Sequence, residues 1–207
     1  TISINKKSVE GSKYYNSPVL YKENGFKKKE DAERLIGELS AEPAGPATVI
    51  GIEKKKENKN APLLYNLAEL QNDCSKYFKI SPDETLRIVQ ELYEKKMTTY
   101  PRTDARVLST AVAKEIHKNI GGLRNYALAA PFAKEVLEQG TYKNIAKTRY
   151  VNDKQITDHY AIIPTGQGLN NLAGLAPTAA KVYEVIVRRF LSIFYPPAVY
   201  QKFSLTL

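Results

Sequence analysis

The residues whose types and spacing could do chemistry lie at positions 98–104, which read Thr-Thr-Tyr-Pro-Arg-Thr-Asp. Pro101 fixes its own φ angle and disfavours the α region for Tyr100, so the sequence predicts an extended segment. Alternate side chains of an extended segment share one face. That face would carry Thr98 together with the phenol of Tyr100, the permanent cation of Arg102 and the carboxylate of Asp104.

A phenol beside a guanidinium suits the chemistry of phosphate esters. The tyrosine hydroxyl has an ordinary pKa of about 10, so Tyr100 needs a nearby cation or base to become a useful nucleophile. Arg102 can supply that cation, because its planar fork binds two phosphate oxygens and stabilises the charge of a transition state. The alternative is a tyrosine and an arginine that only pack and hydrogen-bond.

A second polar site, at residues 157–165, reads Thr-Asp-His-Tyr-Ala-Ile-Ile-Pro-Thr and contains His159, one of two histidines in the chain. A histidine at this position can titrate near neutral pH, hydrogen-bond a phosphate oxygen or move a proton. It can equally be a histidine whose hydrogen bonds are satisfied at the edge of a core strand. The residues alone leave both interpretations open.

The charge of the chain favours a polyanionic partner. The 207 residues include 31 Lys and Arg against 22 acids, and residues 95–124, around the tyrosine, hold seven basic residues and only two acids. A basic surface of this kind is typical of nucleic-acid binding, although many basic proteins bind no polyanion. The single cysteine, Cys74, lies among leucines at helical spacing, and we expect an inert buried thiol.

Periodicity and capping residues predict six helices. They cover residues 30–39, residues 64–78, a helix capped by Ser81 and ending near residue 95, one from Ser109 to residue 119, residues 131–139, and one capped by Thr178 that ends before Pro196. Strands are expected at residues 18–21, at residues 47–53 and after Pro197. The charged run at residues 54–60 is expected to be a solvated connector and a domain boundary, with a charged strand end or a DNA contact as alternatives.

These elements predict an α+β chain with two domains. A helical domain at residues 61–195 would be inserted into a β-rich domain made of residues 1–60 and 196–207. The chain begins at Thr1, and a strand-like alternation runs to its last residue, so we expect a piece of a larger protein. No apolar run approaches the roughly 20 residues that span a bilayer, which favours a soluble, cytoplasmic protein.

Three segments together resemble one family. They are residues 62–67 (Pro-Leu-Leu-Tyr-Asn-Leu), residues 99–104 (Thr-Tyr-Pro-Arg-Thr-Asp) and residues 158–165 (Asp-His-Tyr-Ala-Ile-Ile-Pro-Thr). Their order and spacing closely resemble type IA DNA topoisomerases, particularly the bacterial topoisomerase III group. The resemblance extends over residues 46–207 and is looser over residues 1–45.

The resemblance implies a role for each polar residue. Tyr100 would cut one DNA strand and keep the 5′ phosphate as a phosphotyrosine, so that a strand can pass before religation. Arg102 would position the scissile phosphate, and His159 would contact it. Further DNA contacts are expected from Thr103, Asp104 and Arg106. The helical domain would be similar to winged-helix modules, and the β-rich domain would be part of a gate arch.

Two departures limit what the resemblance implies. Ala105 stands where the family commonly has serine after the aspartate. The family's acidic cluster, which binds Mg²⁺, belongs to a different domain, and these 207 residues contain no Asp-x-Asp motif. We therefore expect no metal site in the chain itself, and no strand cleavage without the remaining domains of a parent, nucleoid-associated enzyme.

The rival hypothesis is a non-catalytic winged-helix module whose Ser109-capped helix binds duplex DNA.

Overall fold

The structure, a computed structural model, describes residues 20–21, 25–26, 28–40 and 49–206. The strands are β1 (Leu20–Tyr21), β2 (Gly25–Phe26), β3 (Gly51–Lys59) and β4 (Ala198–Thr206). The α-helices are α1 (Lys29–Ser40), α2 (Leu67–Phe78), α3 (Pro82–Glu94), α4 (Thr110–Gly122), α5 (Ala130–Gln139) and α6 (Pro177–Ser192). Helices thus dominate the described residues. Short 3₁₀ turns occupy Leu123–Asn125, Thr141–Lys147, Asp153–Gln155 and Leu169–Gly174.

The strands form two small sheets. β1 pairs antiparallel with β2, with Leu20 opposite Phe26, and β3 pairs with β4. Residues 18, 19, 47 and 48, which the sequence places in strands, lie outside the described residues. No helix in the described part of the chain combines the length and apolar character needed to cross a bilayer.

The chain divides into two compact units. One comprises Thr1–Glu57 with Val199–Leu207, and the other comprises Asn58–Ala198. The division falls inside the charged run at residues 54–60, but the prediction of a solvated connector there is wrong, since residues 54–59 belong to β3. Pairing with β4 satisfies one edge of the β3 backbone, and water can satisfy the other edge. The charged side chains stay exposed, so this strand needs no apolar anchor of its own.

The helical unit is built around two packed groups of helices. α2, α3 and α6 pack against one another, and α4 packs against α5. The largest fully buried side chains are Leu64, Leu70, Leu92, Met97, Leu108, Ile116, Ile120, Leu123, Ile162, Ile163, Tyr183 and Phe190. Several of them flank the two polar motifs, so the core directly supports the segments that carry Tyr100 and His159.

Local signals set the helix ends. Ser81 accepts a hydrogen bond from the Glu84 N–H at 3.1 Å, and Ser109 accepts one from the Val112 N–H at 3.2 Å, as N-cap residues do. The prediction that α4 stops before Gly121 is wrong, because the helix continues to Gly122. That glycine is required by close packing, since a Cβ atom there would lie 2.1 Å from the Gly166 carbonyl oxygen.

Two other predicted starts differ from the structure. Helix α6 begins at Pro177, with no side-chain cap, so Thr178 lies inside the helix and does not cap it. Proline at the first helical position has a suitable φ and lacks a donor that would go unpaired. Helix α2 begins at Leu67 after its cap Asn66, and Leu64 precedes it in an irregular segment.

Candidate active site

The segments that carry Tyr100 and His159 are hydrogen-bonded to each other along their length. Thr98 and Pro164 form an antiparallel bridge, and the Thr99 N–H donates to the Ile163 carbonyl at 3.0 Å. The Thr99 hydroxyl donates to the Ala161 carbonyl and accepts from the Ile163 N–H, both at 3.0 Å. Three hydrogen bonds on one threonine therefore fix the register of the two segments immediately beside Tyr100.

The 62–67 segment lies against both of the others. The Ile162 N–H donates to the Tyr65 carbonyl at 2.8 Å, and the Leu67 N–H donates to the Thr103 carbonyl at 3.1 Å. The three segments that carry the family resemblance are therefore adjacent in space, although they are far apart in the sequence.

A partly buried ionic cluster anchors this segment to α6. Arg189 donates from Nη1 to the Leu63 carbonyl at 2.9 Å and from Nη2 to the Asp73 carboxylate at 2.9 Å. The Tyr65 hydroxyl also hydrogen-bonds Asp73, and burial together with that carboxylate raises the pKa of Tyr65 far above its usual value. Tyr65 is thus a structural tyrosine that stays protonated.

Tyr100 and His159 are in direct ring contact. Their ring centroids are 4.4 Å apart, with the planes inclined at 40°. A second aromatic side chain, Tyr93 of α3, packs edge-on against the Tyr100 ring, with 5.4 Å between the ring centroids and 82° between the planes. Tyr100 is half-buried and His159 is exposed.

An open cleft of about 480 Å³ lies beside this pair. Its lining includes two further aromatic rings, one carboxylate and one ammonium: Tyr93, Tyr160, Glu94 and Lys96. Thr98, Thr99, Thr165 and Gln167 add short polar side chains. A cleft with aromatic walls and a cation can hold a nucleotide or a short stretch of single strand.

The predicted row of four side chains does not form. The Thr103 N–H donates to the Pro101 carbonyl at 3.0 Å, which closes a three-residue turn centred on Arg102. Thr98 is 2% exposed, whereas Arg102 and Asp104 are exposed and do not line the cleft. A local hydrogen bond thus turns a segment that Pro101 alone would keep extended.

Two of the three residues expected to contact DNA are engaged within the chain. Thr103 is 7% exposed, and its hydroxyl donates to the His159 carbonyl at 2.9 Å and accepts from the Ala105 N–H at 3.1 Å. Arg106 donates from Nε to the Leu64 carbonyl at 3.2 Å and pairs with Glu69 at 3.3 Å. Both side chains hold the site together, and their contact with DNA stays a prediction. Asp104 is exposed.

The sequence reasoning missed two residues of the cleft. Tyr93 is 39% exposed on α3 and lies on the ring of Tyr100. Lys96 has a left-handed backbone, with φ of 60°. No sequence signal marks Lys96, whereas Tyr93 could have been found as an aromatic residue in the last turn of a helix that leads into the motif.

The described residues do not fit a metal ion. They contain no group of three or more His, Cys, Asp or Glu side chains close enough together to hold one.

Comparisons with known proteins show the family of this chain. A family model described as DNA topoisomerase matches residues 2–207. The chain is 36% identical over 185 residues to DNA topoisomerase 3 of Bacillus cereus, an alignment covering 88% of this chain and 24% of that protein. It is 37% identical over 170 residues to DNA topoisomerase 3 of Bacillus subtilis, covering 82% of this chain and 22% of that protein.

A solved structure shares the fold. Full-length topoisomerase I from Thermotoga maritima superposes with a TM-score of 0.55 at 20% identity, covering 89% of this chain and 28% of that one. The chain spans about a quarter of the length of the curated relatives it matches. Because the family model matches nearly every residue, the chain belongs to the DNA topoisomerase family, as its resemblance to the type IA enzymes predicts.

Proposed function

We propose that this chain carries the nucleophile of a type IA DNA topoisomerase and that Tyr100 is that nucleophile. The observation that carries the proposal is the contact of the Tyr100 ring with His159, 4.4 Å between centroids, beside an open cleft. A phenol that is half-buried but open to a cleft can meet a phosphate while its ring stays positioned by its neighbours.

The reaction is a transesterification. The Tyr100 oxygen attacks the phosphorus of a phosphodiester in one DNA strand and loses its proton. The bond from phosphorus to the 3′ oxygen breaks, and that oxygen takes up a proton to become a 3′ hydroxyl. The 5′ phosphate stays on Tyr100, and attack by the 3′ hydroxyl reverses the step after strand passage. One phosphate ester replaces another, so the chemistry requires no ATP.

His159 and Arg102 would act on the phosphate. His159 is exposed at its ring and held at its carbonyl by Thr103, so it can hydrogen-bond a phosphate oxygen next to Tyr100. Arg102 is exposed and makes no ion pair among the described residues, which leaves its guanidinium available for the same strand. Its turn holds it outside the cleft, so it would reach the strand from the cleft's edge.

The rest of the proposal concerns the full-length protein. We place the Mg²⁺ ligands implied by the resemblance, and the surface that closes over Tyr100, outside this chain. The helical unit would act as a winged-helix-like module and the strands as part of a gate arch. DNA contacts would be mainly to phosphates and sensitive to salt, because strand passage requires binding of any sequence. The 207-residue chain alone is expected not to relax supercoiled DNA.

The test is Tyr100→Phe in the full-length protein, assayed for covalent adduct and for non-covalent DNA binding. We expect the adduct to disappear while the binding constant changes less than about twofold, because only the attacking oxygen is lost. Tyr77→Phe, which alters an exposed tyrosine on α2, is the matched control and should leave both unchanged. Adduct that survives Tyr100→Phe would favour the rival, in which α4 docks on duplex DNA and Tyr100 only packs.

His159→Ala separates a catalytic role from a structural one. The exposed ring predicts a large loss of adduct with little change in the free energy of unfolding. A fall in stability with unaltered specific activity would instead identify His159 as a residue of the fold.

A further inference from the structure

The backbone of Lys96 has an unusual conformation for its residue type. Its φ is 60°, in the left-handed region that residues other than glycine rarely occupy. The Lys96 N–H donates to the Tyr93 carbonyl at 2.8 Å, and the Met97 N–H donates to the Leu92 carbonyl at 2.9 Å. This pair of bonds is the Schellman motif that ends a helix, and its left-handed position is usually glycine.

The structure around Lys96 holds this conformation rigidly. The Thr165 hydroxyl donates to the Lys96 carbonyl at 2.5 Å, which ties Lys96 to the segment that carries His159. Gly168 packs against Lys95, the residue before Lys96. A Cβ atom at position 168 would lie 2.2 Å from the Lys95 carbonyl oxygen. Strained backbone that is held by its surroundings often accompanies a functional side chain.

The Lys96 side chain is exposed and lines the cleft with Tyr100 and His159. It makes no hydrogen bond or ion pair among the described residues, whereas its neighbour Lys95 pairs with Glu91 at 3.5 Å. The carboxylate of the cleft, Glu94, accepts a hydrogen bond from Gln90 at 3.2 Å. Lys96 therefore presents an unpaired ammonium group beside the reactive tyrosine.

We propose that Lys96 binds a backbone phosphate of the DNA strand that Tyr100 cuts, which makes the cleft a phosphate subsite next to the nucleophile. The inference rests on the proposed function of Tyr100. Lysine binds phosphate as a point charge and needs no single geometry, which suits a strand of any sequence. Lys96 precedes Tyr100 by four residues and Arg102 follows it by two. Among the residues that the structure describes, the nucleophile thus has a cation without an ion-pair partner on either side along the chain.

The chain contains a matched control in Lys79. Its φ is 59°, it is exposed, and its N–H donates to the Ser75 carbonyl at 3.2 Å at the end of α2. It does not line the cleft. If a lysine at these positions serves only as a cation at a helix C-terminus, Lys79 and Lys96 should behave alike. If Lys96 binds the strand, they should differ.

The experiment measures binding of a fluorescently labelled single-stranded oligonucleotide by the full-length protein at several salt concentrations. All variants carry Tyr100→Phe, so that no covalent adduct forms. Each single-strand phosphate contact contributes about 0.7 to the slope of log affinity against log salt. We expect Lys96→Gln to reduce that slope by about 0.7 and to weaken binding about fivefold at moderate salt. Lys79→Gln should change neither quantity.

Two further variants separate charge from backbone. Lys96→Arg should retain the slope, whereas Lys96→Gly should lose it even though glycine accepts the left-handed backbone without strain. An unchanged slope in Lys96→Gln and Lys96→Gly, or an equal loss in Lys79→Gln, would overturn the proposal. So would weaker binding with an unchanged slope, which would show a packing effect. Failure of the proposed function is a separate result, seen as adduct that persists in Tyr100→Phe with native Lys96.

Discussion

The hydroxyl of Thr103 donates a 2.9 Å hydrogen bond to the carbonyl oxygen of His159. The same hydroxyl accepts from the Ala105 N–H at 3.1 Å, so one buried atom joins the tyrosine segment to the backbone of the histidine. This relationship makes the position of His159 depend on a residue three places after Tyr100.

Thr103→Val is expected to destabilise the chain, because it keeps the side-chain shape but leaves the His159 carbonyl and the Ala105 N–H without a partner. The free energy of unfolding, measured by urea denaturation, should fall by about 1–3 kcal/mol. Thr103→Ser keeps the hydroxyl and should lose less than about 1 kcal/mol. Equal losses in the two variants would show that the hydroxyl makes no net contribution.

Gly168→Ala is expected to disturb the backbone beneath Lys96. Gly168 has φ of 70°, and a Cβ atom there would lie 2.2 Å from the Lys95 carbonyl oxygen, so the free energy of unfolding should fall by about 1–3 kcal/mol. Gly121→Ala is the control within α4, where no atom outside the local helix backbone lies within 4 Å of the added carbon. It should gain about 0.5–1 kcal/mol. Thermal denaturation measures both changes. A stability gain in Gly168→Ala together with a loss in Gly121→Ala would contradict this account.

Tyr183→Phe is expected to leave stability unchanged within about 0.5 kcal/mol or to raise it, because it removes a buried hydroxyl without a partner. Tyr183 is fully buried on α6, its hydroxyl makes no hydrogen bond among the described residues, and burial raises its pKa far above normal. Tyr150→Phe is the counterpart, since the Tyr150 hydroxyl donates to the Ala61 carbonyl at 2.8 Å. The free energy of unfolding of Tyr150→Phe should fall by about 1–2 kcal/mol. A comparable fall in Tyr183→Phe would show that the Tyr183 hydroxyl has a partner in solution.

Cys74 is expected to make stability depend on pH above neutrality. Burial, the dominant cause, raises the pKa of this thiol from 9.0 to about 11. The folded chain therefore binds the proton more tightly than the unfolded chain, so the contribution is fully present below pH 9.0 and is lost as the pH rises to about 11. In urea titrations the stability difference between the native chain and Cys74→Ala should decrease across this interval. A constant difference would contradict the raised pKa.

Local sequence signals predicted the elements better than the contacts between them. The Ser81-Pro82 cap places the start of α3 because serine, proline and the following acids satisfy a helix N-terminus by themselves. The turn at Arg102 and the engagement of Arg106 could not be predicted in this way. The turn closes through a local hydrogen bond, but Thr103 at its end is also held by the Leu67 N–H and the His159 carbonyl. Arg106 is held by the Leu64 carbonyl, so both positions involve contacts between segments far apart in the sequence.

The strand at residues 54–59 shows the same limit. Its sequence shows no alternation of apolar and polar residues, and β4, the strand that pairs with it, lies more than a hundred residues away along the chain. The adjacency of Tyr100 and His159 was likewise expected only through the family resemblance, because residue types alone left packing roles open for both. The left-handed backbone of Lys96 has no sequence signal, since glycine is the usual residue there.

The central claim is that Tyr100 becomes covalently attached to a 5′ phosphate, and peptide mapping of the adduct tests it most directly. The full-length protein is incubated with a single-stranded oligonucleotide labelled at its 3′ end, denatured to trap the adduct, and digested with protease and nuclease. Before digestion, the 3′ label should remain with the denatured protein. After digestion, mass spectrometry should find the nucleotide phosphate on the peptide that contains Tyr100. Attachment at another residue, or retention of the 5′ end of the oligonucleotide, would contradict the account.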